Sequence, residues 1–317
     1  MTNQSMDEVV LGRTGLRVSR LGLGTAPLAS AFWGNTETTA VATARRAIAA
    51  GVTFLDTAPF YGLGESESRL GAALGGARQG IVLATKVGRL LDANRLGELE
   101  ARFDFSYDAV RTSLDTSLER LGVDRVDVVH IHDPDDHIDE AVTGAHAALV
   151  DLRDEGVIDA VSLGTNSVQT AATFIERCDL DCVLVAGRYT LLDQSAAPVI
   201  QQCADRGIAY LAAGVFNSGV LARPAEGAWY DYAPAARPLL DRALEIEQVC
   251  RRHGVTLRAA ALHFVLAQPG VTVVIVGMAA PDEVDENIAI ARAGVPDTLW
   301  TDLVEQGLLV ATEGGPA

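Results

Sequence analysis

The 317-residue sequence has only four cysteines, and none belongs to a recognisable metal or redox motif. Cys178, Cys182, Cys203 and Cys250 form no CxxC pair, and no histidine cluster stands at zinc spacing. We interpret all four as reduced packing residues, because a free thiol usually behaves as a small apolar group. The sequence therefore offers no metal site.

Basic residues are also scarce, with 25 Lys and Arg against 42 Asp and Glu and a formal net charge of −17. Nucleic acids and anionic membranes are polyanions, so this surface argues against both as partners. The usual meaning of such acidity is bulk solubility. A nucleotide cofactor is still compatible with an acidic surface, because its binding needs only a local site of suitable donors.

Long apolar runs are missing as well. The run from Val271 to Val276 is among the longest, and a membrane helix needs ~20 apolar residues. The first residues, MTNQSMDE, contain no basic segment followed by an apolar one, so they do not predict a signal peptide. We expect a soluble cytoplasmic protein whose partner is a small molecule.

What is present is an alternation of short, β-branched apolar runs with longer helical patterns. A predicted hairpin, VVLGRTGLRVSR, turns at Thr14-Gly15 and precedes eight strand–helix units. Near-continuous apolar strands are typical of a parallel sheet that is buried on both faces. The predicted strands are Leu21 to Gly24, Val52 to Ala58, Ile81 to Val87, Val126 to His132, Ala160 to Gly164, Cys182 to Ala186, Ala209 to Gly214 and Val271 to Val276. The predicted helices are about Glu37 to Ala50, Ser66 to Leu74, Tyr107 to Leu121, Val142 to Glu155, Val168 to Arg177, Ala197 to Arg206, Pro238 to His253, Leu257 to Ala267, Asp282 to Ala293 and Trp300 to Leu309.

Eight such units predict an α/β fold, a single (β/α)8 TIM barrel domain over residues 1–317 with an N-terminal β-hairpin. The segment GLGTAP after the first strand lacks the GxGxxG spacing, which argues against a Rossmann domain. Among helix ends, Thr36 and Ser106 are predicted N-caps. The tail EGGPA is predicted to be disordered.

Polar residues lie at the carboxyl ends of three consecutive predicted strands. The second strand ends in Asp56, with Tyr61 in the loop that follows, the third ends in Lys86, and the fourth ends in His132. Each alone has an ordinary structural interpretation, as a turn residue, a packed ring or a snorkelling chain. Together they meet on the rim where barrel enzymes carry their catalytic groups.

This combination suits proton exchange at an oxygen atom. A tyrosine hydroxyl ordinarily has a pKa of about 10, and a neighbouring lysine cation stabilises its phenolate. An aspartate would hold the lysine in place, and a histidine would orient the substrate oxygen. The four residues therefore predict the interconversion of an alcohol and a carbonyl group.

These residues lie within six segments that, in this order, resemble the aldo-keto reductase superfamily over nearly the whole chain. The segments are LGRTGLRVSRLGLGT, FLDTAPFYG followed by GESE, LATKVG, RVDVVHIHDPDD, VSLGTN and VIVGMAAPDEVDEN. The resemblance implies a (β/α)8 barrel that binds an extended nicotinamide cofactor across its strand ends. It also implies that Asp56, Tyr61, Lys86 and His132 form the catalytic tetrad.

The same resemblance implies a set of cofactor contacts. Thr165 and Asn166 match the pair that binds the nicotinamide carboxamide. The remaining matches are Gly277, Met278 and Ala279 at the pyrophosphate-side turn, and Glu286 and Asn287 near the adenine.

The chain departs from the family pattern at both ends of the cofactor. Ala186 and Ala213 stand where many members carry a Gln and a stacking Tyr, so the nicotinamide is predicted either to be held less tightly or to be packed by a nearby residue such as Phe216. Glu283 stands where NADP-dependent members often carry an Arg. A carboxylate repels a 2′-phosphate but can accept from a ribose 2′-hydroxyl, so we expect NAD, with NADP as the alternative.

Within the superfamily, AGRYTLLDQ, AAGVFNSGVLA and WYDYAPA are similar to a branch of sugar and pyridoxal dehydrogenases. The branch includes L-fucose or D-threo-aldose 1-dehydrogenases, L-galactose dehydrogenase and pyridoxal 4-dehydrogenase, which oxidise a cyclic hemiacetal to a lactone with NAD(P). Predicted substrate contacts are Trp33, Phe60, His130 and Trp229. Each has the alternative interpretation of simple loop packing.

Two other functions stay open. One is reduction of small aldehydes or ketones with NADPH, which would use the same four residues. The other is a non-catalytic regulatory subunit that senses nicotinamide, although the sequence shows no partner-binding extension. A phosphate-binding isomerase is disfavoured, because no glycine-rich phosphate turn follows the seventh strand.

Overall fold

The computed structural model describes residues 7–30, 34–93, 97–231 and 233–310. Trp33 and the tail EGGPA therefore lie outside the described residues. In chain order the strands are β1 (Glu8–Val10), β2 (Arg17–Ser19), β3 (Leu21–Gly24), β4 (Phe54–Asp56), β5 (Val82–Val87), β6 (Arg89–Ala93), β7 (Leu99–Phe103), β8 (Val128–His132), β9 (Ala160–Thr165), β10 (Cys182–Ala186), β11 (Ala209–Ala213), β12 (Trp229–Tyr230), β13 (Ala233–Pro234) and β14 (Val271–Gly277).

Eight of these strands form a closed parallel barrel in the order β10-β11-β14-β3-β4-β5-β8-β9. Their inward apolar side chains fill the barrel, and the outward ones pack on the surrounding helices. In the register, Lys86 on β5 stands opposite His130 on β8, and His132 stands opposite Gly164 on β9. The predicted (β/α)8 barrel is confirmed, and its carboxyl ends meet at one rim.

The helices surround the barrel, and most begin within a residue or two of their predicted positions. Thr36 caps its helix as predicted, since its side chain accepts from the Thr39 amide. Ser106 holds the N-cap position but makes no side-chain cap bond. The helices are Glu37–Ala49, Glu65–Leu74, Tyr107–Leu121, His146–Asp154, Val168–Arg177, Ala197–Arg206, Arg237–Arg252, Leu257–Leu266, Pro281–Arg292 and Asp297–Glu305.

The predicted N-terminal hairpin is confirmed as the antiparallel pair β1–β2. Leu11 and Val18 are fully buried against the inner apolar cluster, so this hairpin closes the amino-terminal mouth of the barrel. Thr14 stabilises the turn by donating its hydroxyl to the Leu11 carbonyl at 2.7 Å. Gly15 has a φ of 77°, a conformation that favours glycine.

A second hairpin, β6–β7, extends the loop after β5 and was not predicted. Its segments RLLDA and LEARF are largely exposed and lack the apolar alternation that predicts strands. Gly88 joins β5 to β6 with a φ of 96°. A Cβ atom there would lie 2.1 Å from the Phe105 ring, so glycine is required.

Two helix boundaries differ from the predictions for local reasons. The helix predicted from Val142 begins as a π-helical turn, Ala141–Ala145, and becomes α-helical at His146. The last helix begins at Asp297, three residues before its predicted start, directly after Pro296, whose backbone is extended. No helix in the described ranges is long and apolar enough to cross a membrane.

Candidate active site

Lys86 is the only lysine in the sequence, and it lies at the rim end of β5 with 2% of its surface exposed. Its Nζ donates to Asp56 Oδ1 and Oδ2 at 2.6 and 2.7 Å and to the Thr57 carbonyl at 2.9 Å. All three ammonium hydrogens therefore have acceptors on one segment. A buried ammonium needs this degree of compensation.

Asp56 is the acceptor at the centre of this network. Burial opposes its ionisation, but the Lys86 charge and His130 outweigh burial, so the pKa of Asp56 lies below its ordinary value. The carboxylate stays charged at neutral pH. It therefore fixes Lys86 as a cation beneath the rim.

His130 lies at the next level down and is completely buried. Its Nδ1 is 2.7 Å from Ser162 Oγ, and its Nε2 is 3.3 Å from Asp56 Oδ1. Nε2 has no well-aligned hydrogen bond in the described part of the chain, so its contact with Asp56 is electrostatic. Burial is the main reason that its pKa is lowered. The predicted contact of His130 with substrate therefore needs correction, because the side chain has no accessible surface and lies between Ser162 and Asp56.

Tyr61 lies in the tight loop after β4, where the Gly64 amide donates to the Pro59 carbonyl at 2.7 Å. Lys86 Nζ lies 5.1 Å from the centroid of the Tyr61 ring. The rings of Tyr61 and His132 meet edge to face, with centroids 6.2 Å apart. The structure thus brings the four predicted catalytic residues together.

His132 is buried at the rim and electrically neutral. Burial, followed by the charges of Lys86 and Arg89, lowers its pKa well below the ordinary value. Its Nδ1 is buried and has no hydrogen-bond partner among residues 7–30, 34–93, 97–231 and 233–310. A neutral imidazole can orient a substrate oxygen without adding a charge.

Two of the predicted substrate contacts, Phe60 and Trp229, lie at different positions relative to this site. Phe60 is 40% exposed, and its ring centroid lies 6.2 Å from that of His132. Trp229 lies on β12 in the loop after β11, is 50% exposed, and makes a bridge with Gly219. Phe60 therefore borders the catalytic group, whereas Trp229 belongs to a separate surface strand.

Thr165 and Asn166 end β9 at the same rim. The Thr165 hydroxyl is 3.2 Å from Asp135 Oδ1 and accepts from the Ser167 amide at 2.9 Å. The Asn166 carbonyl accepts from Arg188 Nε at 2.8 Å. The Thr165 side chain and the Asn166 backbone are thus both held by hydrogen bonds, while Asn166 stays partly exposed.

The turn after β14 contains Gly277, Met278 and Ala279. Gly277 is exposed, whereas the Met278 side chain is buried in the core and cannot line a groove. Glu283 accepts from the Ala279 amide at 2.8 Å, so its carboxylate stabilises the turn at the start of the next helix. Asn287 donates to the Glu283 carbonyl, and its Oδ1 is buried without a partner in the described ranges.

Arg258, which was not predicted as a site residue, contacts both Glu286 and Phe216. Arg258 donates to Glu286 Oε2 at 2.6 Å, and its Cζ lies 5.8 Å from the Phe216 ring centroid. Phe216 therefore lies on the side of the predicted adenine contacts. Ala186 and Ala213 stand opposite each other on β10 and β11.

Comparison with known proteins agrees with this geometry. The family model described as "Aldo/keto reductase family" matches residues 20–305. A D-threo-aldose 1-dehydrogenase of Pseudomonas sp is 38% identical, over 96% of this chain and 99% of that protein. A pyridoxal 4-dehydrogenase of Microbacterium luteolum is 36% identical over the same shares.

The chain belongs to the aldo/keto reductase family. A solved structure of an aldo-keto reductase from Bacillus halodurans, in its holo form, superimposes with a TM-score of 0.79 at 27% identity, over 97% of each chain. The protein is therefore an oxidoreductase of a family that uses nicotinamide cofactors. The predicted family and fold are both confirmed.

In this aldo/keto reductase, unpaired polar atoms fit such a cofactor. Asn287 Oδ1 is one buried acceptor without a partner in the described chain, and Asn217 Oδ1 in the loop after β11 is another. An amide oxygen of this kind suits an amino-group donor such as that of adenine. Asn217 was not predicted as a site residue; its signal in the sequence was an Asn-Ser pair after a strand end, and both residues have positive φ in the structure.

Proposed function

We propose that this aldo/keto reductase oxidises a cyclic hemiacetal, from an aldose or pyridoxal, to a lactone with NAD(P). The observation that carries the proposal is the Lys86 cation, which Asp56 fixes 5.1 Å from the Tyr61 ring centroid beside a neutral His132. The two relatives named above, a sugar and a pyridoxal dehydrogenase, support this substrate class.

Each of the four residues has its own role in the proposed reaction. A bound nicotinamide supplies the hydride acceptor, while the hydroxyl proton of the substrate passes to Tyr61 Oη. Lys86 stabilises the phenolate form of Tyr61, and Asp56 holds Lys86 in place. Neutral His132 orients the hydroxyl oxygen, because an imidazole can donate to or accept from it. The carbon–oxygen single bond becomes the carbonyl of the lactone.

The cofactor would lie across the rim from β9 to β14. We assign the carboxamide to Thr165 and Asn166, the pyrophosphate to the backbone of Gly277, and the adenine to Asn287 with Glu286. Phe216 joins the adenine end in this proposal, because Arg258 connects it to Glu286. The small side chains of Ala186 and Ala213 leave the nicotinamide end open.

We propose NAD as the preferred cofactor, because the Glu283 carboxylate would repel the 2′-phosphate of NADP and could accept from the ribose 2′-hydroxyl of NAD. Since its oxygen also accepts from the Ala279 amide, Glu283→Gln is a better test than an arginine: it removes the charge and keeps an acceptor. The preference for NADH over NADPH, measured by fluorescence titration, should fall several-fold in this variant. An unchanged ratio of the two affinities would show that Glu283 does not discriminate between a ribose 2′-hydroxyl and a 2′-phosphate.

The proposed reaction is tested by absorbance at the reduced-nicotinamide band. The enzyme is mixed with NAD or NADP and with L-fucose, D-arabinose, L-galactose, pyridoxal or simple alcohols. Reduction of NAD by a sugar or by pyridoxal would support hemiacetal oxidation and name the substrate. If no hemiacetal reduces NAD or NADP and small aldehydes oxidise NADPH instead, hemiacetal oxidation is contradicted and a reductase is favoured.

A further inference from the structure

An arginine next to the catalytic group is clamped by two aromatic rings. Arg89 opens the β6–β7 hairpin directly after Gly88, and it pairs in register with Phe103. Its guanidinium carbon lies 4.4 Å from the Phe60 ring centroid and 4.9 Å from that of Phe103. Both distances are within cation–π range, so the two rings hold the guanidinium in place.

The clamped arginine forms an ion pair with Asp133, the residue that follows His132. Asp133 has a φ of 45°, which is uncommon for a non-glycine residue, and its amide donates to the Gly164 carbonyl at 2.8 Å. This turn brings Asp133 Oδ2 to 3.7 Å from His132 Nε2. A carboxylate and a guanidinium therefore border the catalytic imidazole.

The four-residue network around Lys86 does not use this pair. The side chains of Arg89 and Asp133 are 17% and 20% exposed, so the pair is partly desolvated yet open at the rim. Together the two groups offer fixed N–H donors and a carboxylate acceptor. A hydroxyl group, which both donates and accepts, matches this arrangement better than an ether or an aromatic carbon does.

We propose that Arg89 and Asp133 are a specificity-determining pair that binds the hydroxyl on the carbon next to the reacting carbon. The inference rests on the proposed function, in which His132 contacts the reacting oxygen. An oxygen on the adjacent carbon then lies beside Asp133. Aldoses carry a hydroxyl there, whereas the corresponding ring carbon of pyridoxal carries none. The pair thus selects 2-hydroxy aldoses over pyridoxal.

The test compares the aldose that turns over fastest with its 2-deoxy analogue. In the wild type, kcat/KM should favour the hydroxylated sugar by on the order of 10–100-fold, the value of a hydrogen bond to a charged group. Asp133→Asn and Arg89→Met should each lower this ratio at least 10-fold. Fluorescence titration with NADH checks that each variant still folds and binds the cofactor.

Arg102→Met is the matched control, because Arg102 lies on the same hairpin but pairs with Asp92 and Asp104. Its ratio should equal that of the wild type. Equal rates on both sugars, or an unchanged ratio in Asp133→Asn, would overturn this inference and leave hemiacetal oxidation intact. Oxidation of pyridoxal but no aldose would do the same. Inactivity toward every hemiacetal would overturn the proposed function and this inference with it.

Discussion

The two ends of the barrel each carry a network of ion pairs, and the two networks are built differently. At the rim, Lys86 is a single buried cation with Asp56 as its charged partner. At the amino-terminal end, Arg13 and Arg153 both contact Asp179 and Asp181. The lower network also uses the Val161 amide, which donates to Asp181 at 2.9 Å.

This difference separates a functional network from a structural one. Loss of one arginine at the lower end leaves both carboxylates with another cation, and water reaches Asp179 because more than half of its side chain is exposed. Loss of Lys86 leaves Asp56 buried without its cation. Two arginines share the carboxylates at the amino-terminal end, whereas Asp56 at the rim relies on the single ammonium group of Lys86. The difference predicts unequal responses to substitution.

The largest effect is expected for Lys86→Met. Breaking a buried pair typically costs about 3–5 kcal/mol, because the remaining charge stays uncompensated. Turnover should also fall by at least about 100-fold, because Tyr61 loses the cation that stabilises its phenolate. Urea denaturation and steady-state kinetics measure the two effects. The double variant Lys86→Met with Asp56→Asn should recover stability but not turnover; recovery of neither would contradict the ion-pair explanation.

A smaller effect is expected from pH. The pKa values of His130 and His132 are lowered in the folded protein, mainly by burial, while unfolded histidine titrates near about 6.5. The unfolded chain therefore binds more protons below that pH. Stability is fully present above about pH 6.5 and falls as the pH drops toward the folded pKa values, by up to about 1.4 kcal/mol per pH unit for each histidine.

Denaturation between pH 5 and 8 checks this dependence. Replacing His132 with Asn removes one of the two titrating groups, so the slope below pH 6.5 should become shallower. A variant with the same slope as the wild type would show that His132 is not the source of the dependence. Asp56 adds nothing in this range, because its lowered pKa confines its own loss of stability to more acidic solutions.

The smallest effect is expected for Arg13→Met. Arg13 is partly exposed, and Arg153 still pairs with Asp181 at 2.7 Å in its absence. The free energy of unfolding should fall by no more than about 1 kcal/mol, as for other solvated ion pairs. Turnover should stay at the wild-type value. A loss as large as that of Lys86→Met would remove the distinction between the two networks.

The sequence predicted the barrel and the rim residues because each depends on a local pattern. Asp56, Lys86 and His132 end apolar runs, and parallel strands bring such ends together. The Arg89–Asp133 pair could not be predicted, since it needs the positive φ of Asp133 and a hairpin without apolar alternation. His130 was predicted to contact substrate because a two-residue period places His130 and His132 on one side of β8 without showing how deep each side chain lies.

The most direct test of the account is Tyr61→Phe, which removes one oxygen atom and keeps the ring beside Lys86 and His132. We predict that turnover of the best hemiacetal falls by roughly 10²–10⁴-fold, while the dissociation constant for NADH, measured by fluorescence titration, stays within about twofold of the wild type. Turnover close to the wild-type rate would contradict the assignment of Tyr61 as the group that accepts the proton.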